Sequence, residues 1–168
     1  MTDQHAPLVE RLVAANHLLG ERTAMAPARP VMRLTVVTCM DARLLPPEAM
    51  GLRSGDAHIL RNAGGRVTDD VLRSLAVSCG VYDVRDVAVV HHTDCGMVRP
   101  IAEVRAAIAD AADGDPGPED LGMIRDPDEA LASDVARVRA CPHLPDSLRV
   151  WGLRFDVSTG LMSIQVAA

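Results

Sequence analysis

The chain has 168 residues, nearly half of them hydrophobic, with a formal net charge of −6 and one each of Trp, Tyr and Phe. That length buries a core without disulfides or structural metals, and the scarcity of aromatics means the core is built from Ala, Val, Leu, Ile and Met. An acidic balance with no lysine and 17 scattered arginines argues against a nucleic-acid partner, which needs clustered positive charge, and no stretch approaches the roughly 20 apolar residues of a membrane helix.

Met1 to Leu8 carries charges and a proline and has no apolar run of signal-peptide type. A cytoplasmic location is therefore expected, in which the four cysteines stay reduced and available to a metal. Val9 to Leu19 has apolar residues at helical spacing (Val9, Leu12, Val13, Leu18, Leu19) and predicts a helix stopped at Gly20. A proline-punctuated arm, Ala26 to Pro30, follows. Leu34 to Thr38 is β-branched and nearly continuous, as a strand buried on both faces should be. Ala57 to Arg61 predicts a second strand. Thr68 opens a helix through Cys79, with a stop at Gly80. Asp86 to Val90 predicts a third buried strand running into His91 and His92. Ile101 to Ala112 and Ala130 to Ala140 read as helices on either side of an acidic, Gly/Pro-rich surface loop at 113–128. Leu148 to Asp156 and Leu161 to Val166 flank Ser158-Thr159-Gly160 as a terminal hairpin-like pair.

Strands alternating with helices predict an α/β fold, a mostly parallel sheet flanked by helices. One domain over 1–168 is expected, with 1–30 as an N-terminal helical arm. A strand order of second-first-third would bring the loops after the first and third strands together at the crevice where the order reverses.

Those loops hold the chemistry. Cys39-Met40-Asp41-Ala42-Arg43 follows the first strand, and His92-Thr93-Asp94-Cys95 follows the third. Two thiolates and an imidazole are three ligands of the kind Zn²⁺ prefers, and three protein ligands leave one tetrahedral position open for water or substrate. Cys39 alone would read as a small buried hydrophobe or as a nucleophile beside a histidine, but the Cys-x₅-Arg loop of thiol phosphatases is absent, because Leu45 stands at that position. Adjacent residues of an extended segment face opposite ways, so His91 and His92 should not reach one metal; His91 reads as a packed or hydrogen-bonding residue. Asp41 and Arg43 could be a brace within a turn. The same pair also serves chemistry: a guanidinium that grips the carboxylate bidentately keeps it ionised and aims it at the metal. Asn62-Ala63-Gly64-Gly65 is a turn with glycine at positive φ, or a backbone wall beside a small substrate. Cys79 and Cys141 read as structural.

Taken together, Cys39-x-Asp41-x-Arg43, Arg61-Asn62-Ala63-Gly64 and His92-x-x-Cys95-Gly96 resemble the signature of the β-class carbonic anhydrases, over most of the chain from about Leu34 onward. The run Val90 to Met97 looks like a short bacterial branch of that class. The resemblance implies an α/β sheet with an antiparallel edge strand, a homodimer or dimer of dimers, and an N-terminal helix crossing to the partner. It implies one zinc per chain on Cys39, His92 and Cys95, with Asp41 either taking the fourth position or leaving it to water and pairing with Arg43. The implied reaction is reversible hydration of carbon dioxide to bicarbonate by hydroxide generated at the zinc. The sequence departs from many members in its length, in its few aromatics, and at His91, where many carry glycine. Hydrolysis of carbonyl sulfide or carbon disulfide, a non-catalytic zinc-binding module and a cysteine-nucleophile hydrolase are the alternatives.

Overall fold

Runs of β-branched residues define the sheet. The computed structural model describes residues 8–23 and 26–168, with side chains described at 8–17 and 26–168; residues 1–7 and 24–25 lie outside them. Leu34–Cys39 (β1), Ala57–Asn62 (β2), Asp86–His92 (β3) and Arg149–Phe155 (β4) pair in parallel, in the order β2-β1-β3-β4, and Met162–Val166 (β5) closes the edge antiparallel to β4. The expected second-first-third order is present, so β1 and β3 are neighbours at the point where the chain reverses its direction of winding across the sheet.

The helices are Leu8–Thr23 (α1), the short Pro46–Ala49 (α2), Asp69–Tyr82 (α3), Ile101–Ala111 (α4) and Pro127–Arg139 (α5). One face of the sheet, through Val37, Val87 and Val89, packs against Val71 and Leu75 of α3 and Leu131, Val135 and Val138 of α5. The other face carries Val36, Ala88 and Val90, covered by Met50 and Leu52 after α2. Both faces of β1 and β3 are thus apolar, which is why these strands lack polar alternation. Leu75 is fully buried at the centre of the larger cluster. Leu75→Ala is expected to cost about 2–5 kcal/mol in urea unfolding.

Several boundaries differ from the sequence expectation. α1 runs through Gly20 to Thr23, and α3 runs through Gly80 to Tyr82. The stop of α3 is Asp83, in the left-handed region at φ 55, where its amide and that of Val84 return to the Ser78 carbonyl. Aspartate tolerates this conformation better than most residues, and the Asp83 carboxylate is held there by Arg29, Arg33 and Arg85. α5 starts three residues earlier than the periodicity suggested, because Asp126 caps the amides of Asp128 and Glu129 and Pro127 occupies the first turn. Cys39, His91 and His92 end their strands and do not lie beyond them.

Candidate functional site

β1 and β3 finish side by side, and the segments at their ends border a cleft of about 690 Å³ lined by Asp41, Arg43, His92, Cys95, Arg99, Pro127 and Arg154. One ligand atom each from Cys39, His92 and Cys95 lies within 4.8 Å of the others, and all three residues are buried. The two sulfurs are 4.0 Å apart. A tetrahedral ion with Zn–S bonds of about 2.3 Å separates two sulfurs by roughly 3.8 Å, so the thiol pair already stands at the spacing a shared cation requires.

The imidazole is prepared in the same way. His92 Nδ1 lies 2.9 Å from the Thr93 carbonyl, and donating its proton there leaves Nε2 as the lone-pair nitrogen. Nε2 is buried and makes no hydrogen bond, and an orphaned acceptor of this kind suits a metal. Burial also holds the His92 pKa below its ordinary value, which keeps the ring neutral. Burial, reinforced by the neighbouring Cys39 thiol, pushes Cys95 up to about 11. Without a cation Cys95 would rather be a thiol than a thiolate. A divalent ion removes that penalty, so the donor set fits zinc.

Asp41 sits beside the triad. Its Oδ1 accepts the Arg43 amide at 2.9 Å and Nε at 3.0 Å, and its Oδ2 accepts Nη2 at 2.8 Å. These bonds hold the carboxyl far below the usual carboxylate range. Oδ2 accepts only one bond from Arg43 and stands 4.0 Å from His92 Nε2, so a lone pair remains on the metal side. Arg43 is itself fixed by the Asp94 carboxylate at 2.6 Å and the Asp94 carbonyl at 2.9 Å. Asp94 adopts φ 54, a turn that sends the chain back so that Cys95 reaches the triad. Arg61 bonds the carbonyls of Cys39 and Asp41 at 2.9 and 2.7 Å, pinning the loop that carries both.

Asn62-Ala63-Gly64-Gly65 is a short 3₁₀ turn behind Cys39. Gly65 has φ +67, and a Cβ there would stand 2.8 Å from the Cys39 nitrogen and 2.9 Å from the Thr38 carbonyl carbon. It is therefore a backbone buttress for the first ligand. Gly65→Ala is expected to lower stability by about 2–4 kcal/mol in thermal or urea unfolding, from left-handed strain and the backbone clash together.

The carbonic anhydrase family model matches residues 34–116. Beta-carbonic anhydrase 1 of Mycobacterium tuberculosis is 36% identical over 140 residues, 82% of this chain and 84% of that protein. The chain belongs to the β-carbonic anhydrase family. The carbonic anhydrase structure from Streptococcus mutans superposes with a TM-score of 0.87 at 37% identity, covering 96% of this chain and 99% of that one. A carbon disulfide hydrolase of Acidithiobacillus thiooxidans is 32% identical over 148 residues, 76% of this chain and 74% of that protein. Zinc is the metal of β-carbonic anhydrases, and the Cys39-His92-Cys95 group could hold a metal ion here.

The structure sets Cys39, Asp41, Arg43, His92 and Cys95 together and turns His91 to the opposite face, where its Nε2 is 3.1 Å from Asp134. Cys79 is buried on α3 and Cys141 follows α5, and neither belongs to the triad. Sequence reasoning passed over Asp94 as a partner of Arg43, Arg61 as a clamp, and Arg99 and Arg154 on the cleft wall. Asp94 and Arg61, each inside a motif, carried a local signal; Arg99 and Arg154 did not.

Proposed function

We propose that this chain hydrates carbon dioxide reversibly to bicarbonate and a proton, using one zinc ion held by Cys39, His92 and Cys95. The observation that carries this is the buried triad whose ligand atoms lie within 4.8 Å of one another, with the unpartnered His92 Nε2 among them. When bound, zinc acts as a Lewis acid that lowers the pKa of a water towards about 7, which makes hydroxide available at neutral pH. Asp41 Oδ2 accepts a hydrogen bond from the nucleophilic water and so directs its lone pair at the carbon of CO₂. A carboxyl held so low by Arg43 orients the nucleophile and does not take its proton. Arg43 fixes Asp41, and Asp94 fixes Arg43. Arg99 and Arg154 on the wall of the cleft give an anionic product a favourable exit in a chain whose net charge is −6.

A homodimer or dimer of dimers fits the apolar residues that α1 leaves exposed, namely Leu8, Val9, Leu12 and Val13. Cytoplasmic action fits four free cysteines, and no described helix is long and apolar enough to cross a membrane. The chain acts as one domain, with its N-terminal helix as an arm and the loop before α5 lying on the surface except at the buried Ile124. Stopped-flow CO₂ hydration on protein of assayed zinc content tests the activity, with rapid turnover at about one zinc per chain as the expected result. The likeness to a carbon disulfide hydrolase supplies the second reading. Full zinc with no CO₂ hydration, but with release of hydrogen sulfide from carbon disulfide, would select it.

A further inference from the structure

On the face of β3 opposite His92, a second buried polar cluster takes no part in the proposed chemistry. Asp134 of α5 is 2% exposed, and its carboxylate accepts from Arg66 and the Val67 amide and lies against His91, whose ring nitrogens make no hydrogen bond. His91 Nε2 is 3.1 Å from Oδ2, Arg66 donates through Nε to Oδ2 at 2.6 Å, and the Val67 amide donates to Oδ1 at 3.1 Å. Arg66 also reaches the carbonyls of Gly122 and Met123, both at 3.3 Å.

Each of these groups belongs to a segment that carries or backs a metal ligand. His91 precedes His92 on β3. Arg66 and Val67 follow Gly65, whose backbone abuts Cys39. Met123 precedes Ile124, whose amide bonds the Met97 carbonyl two residues beyond Cys95, and Ile124 and Ala130 pack with both cysteines. One buried carboxylate thus joins segments that back both ligand-bearing loops, the one after β1 and the one after β3. A buried charge is expensive to keep, and satisfying it demands that Arg66 and the Val67 amide stay in place.

We propose that Asp134 is a positioning residue of the metal centre, holding Cys39, His92 and Cys95 at ligand spacing through its bonds to Arg66 and the Val67 amide and its contact with His91. This rests on the zinc reading above. Asp134→Asn keeps the shape and removes the charge. Titration with Zn²⁺ against a chelating dye is expected to show affinity lowered by about 10–100-fold, the usual effect of losing an outer partner of metal ligands, together with an altered absorption spectrum of the Co²⁺-substituted protein. Leu75→Ala, which destabilises the core without touching this cluster, is expected to keep wild-type affinity. Unchanged zinc affinity and Co²⁺ spectrum in Asp134→Asn overturn the proposal, and so does an equal loss in Leu75→Ala. Should Asp134→Asn not fold, Arg66→Lys keeps the charge opposite Asp134 but cannot also span the Gly122 and Met123 carbonyls. It is expected to weaken zinc in the same direction, and wild-type affinity there overturns the proposal. A wild-type protein that binds no zinc removes the functional reading and this one together, whereas normal wild-type binding with unaffected variants removes this one alone.

Discussion

Asp41→Asn keeps its zinc and loses most CO₂ hydration, with kcat falling about 10²–10³-fold, the cost of removing one preorganised hydrogen-bonding group from a reaction centre. The substitution is isosteric and leaves the three ligands untouched. It removes the charge that Arg43 grips through Nε at 3.0 Å and Nη2 at 2.8 Å. The amide then has to present its NH₂ either to a guanidinium, which is a donor already, or to the metal side, where an acceptor is needed. Steady-state kinetics across pH, with zinc assayed on the same samples, checks this. A variant with near-wild-type kcat would remove the orienting role assigned to Asp41.

Cys95→Ser separates zinc binding from everything else. A serine hydroxyl stays neutral at pH 7, so the site loses one of its two anionic ligands. Four-ligand zinc sites bind with about 10–16 kcal/mol in total, so one ligand is worth roughly 3 kcal/mol, or about 100-fold in affinity. Dialysis against a chelator followed by metal analysis is expected to strip the variant at concentrations that leave the wild type loaded. Cys79→Ser is the matched control, because that thiol is also buried and also raised by burial but sits on α3 outside the triad. Undiminished zinc in Cys95→Ser, or equal loss in Cys79→Ser, would show that the ligand set is wrong.

Both predictions concern residues that could be read from the sequence, for one physical reason. Zinc ligands must be Cys, His or a carboxylate, and in an open α/β sheet they gather beyond the carboxyl ends of adjacent strands. Buried parallel strands announce themselves as unbroken β-branched runs, so Leu34–Cys39 and Asp86–His92 were placed nearly to the residue. Helix ends were less legible. Gly80 looked like a stop and is not one, because the left-handed position was filled by Asp83, and three arginines from elsewhere in the chain support it there. α5 begins at Pro127, capped by Asp126, three residues before the apolar periodicity starts at Ala130.

The sequence by itself determined the class of fold and which residues form a candidate metal site, because each depends on residue type and short-range spacing. Only the tertiary structure decided what surrounds them. Asp94 meets Arg43 across 51 positions, Arg61 reaches the Cys39 carbonyl across 22, and Arg66 meets Asp134 across 68. Pairings at that separation follow from how strands and helices stack. Arg61 stood in a motif, but that it clamps the Cys39 loop, and that Arg66 meets Asp134, could not be read from the chain alone.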